Sequence, residues 1–128
     1  MPSKFAAVIV LLAGAGIGGL GVHALHAQSN PPVYFIAEID VQNVDGYTKE
    51  YVPKAVASLK AHGGRIIVAT QKITPFEGEP PKGRVVAHVW ESMEQLQGWY
   101  RSPEYQEVHH VGAKHAKYRT FAVEGITP

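Results

Sequence analysis

The residues best suited to chemistry are polar ones set inside apolar, alternating stretches. Glu38 lies within Val33-Tyr-Phe-Ile-Ala-Glu-Ile-Asp-Val41, and His88 within Arg84-Val-Val-Ala-His-Val-Trp90. A carboxylate beside an imidazole makes a general base, because it orients the ring and stabilises its protonated form. On this reading His88 is the catalytic base and Glu38 its partner. The alternative is a satisfied polar pair at an interface, since structural pairs also shift titration. Arg65 and Arg84 open two apolar stretches, and a guanidinium there can hold a substrate carboxylate or phenolate by two parallel bonds. Tyr34 and Trp90 flank the same segments and would wall a bound ligand.

Other chemistries find less to work with. The chain has no cysteine, which excludes disulfides, thiol catalysis and cysteine zinc sites. His109, His110 and His115 differ by one, five and six positions, whereas a metal pair on one helix face needs three or four. Neither a metal nor another cofactor is expected. Ser102 precedes Pro103 and Glu104, the pattern of a helix cap rather than of a nucleophile. The stretch from Pro75 to Gly83 has no phosphate-binding pattern, but it could fold over a pocket as a lid. The net charge of +1, without a run of like charge, does not indicate binding to nucleic acid.

These residues must be positioned by elements that the periodicity reveals. Residues 33–41 alternate with period two, placing Phe35, Ala37, Ile39 and Val41 on one face and Tyr34, Ile36, Glu38 and Asp40 on the other. Asn43 or Asp45 caps a helix over 46–62, which Pro53 kinks or restarts and Gly63-Gly64 ends. Strands follow at 65–70 and 84–90. In the latter, Val85, Ala87 and Val89 form the apolar face, and Arg84, Val86, His88 and Trp90 the mixed one. Ser92 and Gln95 open a helix to about Arg101 as a capping box, with Gly98 allowing close packing. Ser102 and Pro103 start another that reaches about Lys117, and a last strand covers 118–126. Trp99, Tyr100 and Tyr105 pack the corner between those two helices.

The order β-α-β-β-α-β describes an α+β, ferredoxin-like domain, an antiparallel sheet with helices on one face. The first and third strands then lie side by side. The face without helices would carry Tyr34, Ile36, Val86 and Trp90, too much apolar surface to leave wet, so a homodimer is expected.

Residues 1–27 read as a secretory signal peptide, 28–32 as a linker and 33–126 as the domain. Lys4 precedes 18 charge-free residues from Phe5 to Val22, and the polar Gln28-Ser29-Asn30 follows Ala27. Cleavage is expected after Ala27, with Ala24 as the alternative. The location is then periplasmic or secreted, with no membrane attachment after cleavage. An uncleaved segment would instead be an anchor.

Gly63-Gly64-Arg65, Tyr100-Arg-Ser-Pro-Glu-Tyr-Gln106 and Phe121-Ala-Val-Glu-Gly125, in this element order, resemble the bacterial domain-of-unknown-function family 1330. The resemblance spans about Tyr34 to Ile126 and implies the dimeric α/β-barrel superfamily, in which two ferredoxin-like sheets face each other. That superfamily includes cofactor-independent monooxygenases, isomerases and haem-degrading enzymes, and no catalytic residue set carries over. Three readings result. The first is an exported domain binding a small organic molecule. The second is a cofactor-independent monooxygenase or isomerase using His88 as base. The third is a purely structural dimer without a ligand.

Overall fold

The alternation at residues 33–41 becomes strand β1 (Val33–Val41), in which Val33, Phe35, Ala37 and Ile39 are buried and the residues between them are half-buried. The computed structural model describes residues 30–128, so the expected signal segment and its cleavage point lie outside the described residues. Pro32–Ile126 forms one unit. After β1 come helix α1 (Val44–Gly46), a π-helical turn (Tyr47–Tyr51), α2 (Val52–Ala61), β2 (Arg65–Thr70), β3 (Arg84–Trp90), α3 (Met93–Tyr100), α4 (Pro103–Gly112) and β4 (Ala116–Glu124). The sheet order is β2-β3-β1-β4, with every neighbouring pair antiparallel. This is the ferredoxin-like arrangement expected from the element order.

Register decides which side chains can meet. Across β1 and β3, Phe35 stands opposite His88, Ala37 opposite Val86, Ile39 opposite Arg84 and Val33 opposite Trp90. Directly opposed residues share a face. Arg84, Val86, His88 and Trp90 therefore lie under the helices, and Val85, Ala87 and Val89 join Tyr34, Ile36 and Glu38 on the open face. The sequence expectation had β3 the other way round. Parity alone separates the two assignments. What settles it is size: Trp90, at 2% exposure, fills the core more effectively than any residue of the valine series. In β2 a bulge between Ile66 and Val68 resets the alternation, so Ile66 and Ala69 face the helices while Arg65 and Val68 face out.

The local signals between strands act as their chemistry requires. The Asn43 side chain accepts from the Gly46 amide at 3.1 Å and starts α1. The kink expected at Pro53 takes the form of the π turn, after which Pro53 sits in the first turn of α2, where a missing N–H costs nothing. Gly63 adopts φ +92°, and a Cβ on Gly64 would come within 2.5 Å of the Trp90 ring. Ser92 caps α3 by accepting from Gln95 N at 3.1 Å, and the Gln95 side chain reaches back to the amide of Glu91 at 3.0 Å. Ser102 accepts from Tyr105 N at 3.2 Å and donates to Trp99 O at 2.7 Å, which fixes the corner between α3 and α4.

Two expectations fail. Gly98 is exposed, with open space where a Cβ would be, so no packing explains it. And α4 stops at Gly112 rather than near Lys117, because β4 begins earlier: Ala116 pairs with Val41. Gly112 is pressed against Tyr51 and the Tyr118 hydroxyl, leaving no room for a side chain. The core gathers Phe35, Leu59, Trp90, Leu96, Trp99, Tyr105 and Val108 between sheet and helices.

Candidate functional site

Between the sheet and the helices lies a cavity of about 120 Å³. Its floor is the covered face of the sheet: Phe35, Ala37 and Ile39 from β1, Arg84, Val86 and His88 from β3, Tyr118 and Thr120 from β4. Its roof is Tyr47 and Tyr51 from the π turn, apolar residues of α2, Trp99 and Tyr105. The π turn matters here. Tyr47 and Tyr51, one turn apart within it, both bury their rings, at 4% and 7% exposure, with centroids 5.3 Å apart.

The polar groups of the cavity are few. His88 is 3% exposed and stacks flat on Phe35, centroids 4.7 Å apart at 9°. Its Nδ1 lies 2.6 Å from Trp90 Nε1. An indole nitrogen can only donate, so Nδ1 accepts and the neutral ring carries its proton on Nε2. Burial lowers the His88 pKa from 6.5 to about 4. A second proton at Nδ1 would also face the indole N–H donor to donor. Arg84 lies over the Tyr47 ring with Cζ 5.9 Å from its centroid, and its buried Nε has no partner among the described residues. The Tyr118 hydroxyl is buried close to that of Tyr51, which also contacts the Tyr105 hydroxyl at 3.2 Å. Burial raises the pKa of Tyr47, Tyr51, Tyr105 and Tyr118, so all four stay protonated at neutral pH; Arg84 opposes the rise at Tyr47. Trp99 Nε1 donates to the fully buried Ser58 hydroxyl at 3.1 Å.

The residues singled out from sequence divide between two places. Arg84 and His88 line the cavity. Trp90 lies beneath it, joined to His88 but not lining it. Glu38, Tyr34 and Arg65 are on the open face, with Glu38 paired to Arg119 across β1 and β4. The Glu38–His88 pair therefore does not form: the sheet lies between the two side chains. The general-base role loses its second support as well, because the lone pair a base would use is engaged by Trp90. The loop from Pro75 to Gly83 contributes nothing to the cavity wall, and its Phe76 is 94% exposed.

The tyrosines are what sequence reasoning missed. Tyr47 and Tyr51, spaced by four, and Tyr118 and Thr120, alternating on β4, carry the right periodicity, but large aromatics read first as packing. His115, outside any helix, bonds Glu50 at 2.5 Å, and its carbonyl accepts from Gln42 and Asn43. His109 joins the aromatic cluster around Tyr105 and Tyr118. Among the described residues, no three His, Asp or Glu side chains gather as metal ligands would.

Residues 32–126 match the family described as Domain of unknown function (DUF1330). None of the curated proteins matches the chain. Solved structures with the same fold include a protein of unknown function from Rhodopseudomonas palustris, 15% identical, covering 84% of this chain and 94% of its own, with a TM-score of 0.60. The cofactor-independent oxygenase SnoaB from Streptomyces nogalater is 12% identical over 77% of this chain and 96% of its own, with a TM-score of 0.57. A Caulobacter crescentus protein grouped with the antibiotic biosynthesis monooxygenases is 14% identical over 81% of this chain and 98% of its own, with a TM-score of 0.56. At such identities the likeness establishes the ferredoxin-like fold and not the activity.

Proposed function

The chain belongs to the DUF1330 family, and we propose that it binds a small organic molecule in the cavity between its sheet and its helices. One observation carries this reading: an aromatic-walled cavity in which Arg84 Nε is buried without a partner among the described residues. Buried polar atoms are nearly always satisfied, so exceptions need an explanation, and a ligand supplies one. Size limits the occupant. An apolar cavity of ~150 Å³ takes one benzene ring, so a volume of about 120 Å³ sets a single small ring as the upper limit. A purely structural dimer would have no use for such a cavity.

The test is titration of the tryptophan fluorescence with single-ring aromatic compounds. Saturable quenching is expected in the wild type, and none in an Ala37→Leu variant that fills the space. Quenching that survives in that variant would place the binding elsewhere.

The surroundings of the domain form part of the proposal. Apolar residues on the open face, among them Ile36, Phe121 and Val123, support a homodimer through that face. The charge-free run from Phe5 to Val22 and the polar boundary after Ala27 support export to the periplasm or beyond. A mature chain starting at Met1, purified from a bacterial host, would remove the cleavage reading and favour the anchor.

A further inference from the structure

We infer that the ligand of this cavity is an organic monoanion that arrives already ionised, such as a single-ring phenolate, enolate or carboxylate, with its charged oxygen seated on Arg84. The inference rests on the small-molecule reading above and goes beyond it by fixing the charge.

The cavity wall is rich in donors. A guanidinium has no acceptor, and Arg84 offers a buried, unpartnered Nε. His88 has its lone pair occupied by Trp90 and keeps only an N–H for other partners. The hydroxyls of Tyr47 and Tyr118 keep their protons, because burial penalises the phenolate form. Among the described residues no carboxylate lines the cavity, and Arg84 is the one charged side chain that does. The wall therefore presents one positive charge and several donors, with no counter-charge. Arg84 is half-buried, its enclosed Nε has no partner among the described residues, and one negative charge would satisfy it. A neutral ring would leave that Nε unmet, and a dianion would bring a second charge with nothing to meet it.

The same wall limits the chemistry. None of these side chains can take a proton at neutral pH. A reaction in this cavity must therefore begin from a compound that water has already ionised.

The experiment compares benzoate with its neutral isostere benzamide, and with toluene, by fluorescence titration of the full chain at pH 7.5. Benzoate is expected to bind at least tenfold more tightly than benzamide. Arg84→Gln should abolish that preference, and Tyr118→Phe should weaken benzoate several-fold. If toluene binds but benzoate and benzamide do not differ, or if the preference survives Arg84→Gln, the charge assignment falls and the small-molecule reading stands. If none of the three binds, both fall. The wild-type comparison decides the question alone should Arg84→Gln fail to fold.

Discussion

The two faces of one sheet use the same four strands for opposite ends. The covered face has Phe35, Val86, His88 and Arg84 against a layer of tyrosines and tryptophans. The open face has Tyr34, Ile36, Val85, Val89, Phe121 and Val123, with Glu38 and Arg119 paired among them. Both are largely apolar, so hydrophobicity does not tell them apart. Polar satisfaction does. On the open face the charges pair with each other and with water. On the covered face Arg84 Nε has no protein partner among the described residues. Unsatisfied polarity under a roof points to a small ligand, whereas satisfied polarity in an exposed apolar field points to another protein surface.

This contrast can be broken by substitution. The largest effect is expected on the covered side. Trp99→Ala should cost about 3–5 kcal/mol in urea unfolding, because the ring is 2% exposed and packs on Phe35, Trp90 and Tyr105.

Next comes the acid limb of stability. The folded domain keeps His88 neutral down to about pH 4, whereas the unfolded chain protonates it below 6.5. Unfolding therefore takes up a proton in that window. The stability due to this histidine is full above the window and is lost as pH falls through it, by on the order of 3 kcal/mol. Unfolding at pH 4.5 and 7.5 should show a smaller pH difference in His88→Asn than in the wild type. An equal difference would assign the acid limb to other groups.

On the open face, Phe121→Glu should shift the molecule from dimer to monomer in sedimentation velocity and leave far-UV dichroism unchanged. Phe121 is 40% exposed within the domain, so its loss does little to the fold itself. The smallest effect belongs to Glu38→Gln. Its partner Arg119 is 74% exposed, and such pairs contribute about 0–1 kcal/mol. The same substitution should leave the NMR titration of His88 unmoved, and a shift would restore the coupling that the register denies.

The fold was legible because its signals are local. Alternation in Val33–Val41, the turn at Gly63-Gly64 and the Ser102-Pro103 cap each follow from a few neighbouring residues. The site was half legible. Arg84 and His88 stand out as polar residues in an apolar strand, and both line the cavity. Their facing was not readable, because β3 alternates between a valine series and a mixed series, and only packing against Gly64 and Trp99 shows which one is inside. The Trp90–His88 bond was also hidden. Two residues spaced by two share a face, but nothing in the spacing says which nitrogen of the imidazole is occupied.

The central position of β1 has a further consequence, for the growing chain. The strand that begins the domain lies between β3 and β4, and its partner along one edge is Ala116–Glu124, the last strand made. Until that segment is available, β1 has an empty edge and the floor of the cavity lacks Tyr118 and Thr120. Pairing across so long a stretch of sequence is slow to form. The domain therefore closes only once Ala116–Glu124 joins it, and a chain truncated before Ala116 would offer the Val33–Val41 edge to whatever strand or chaperone reaches it first.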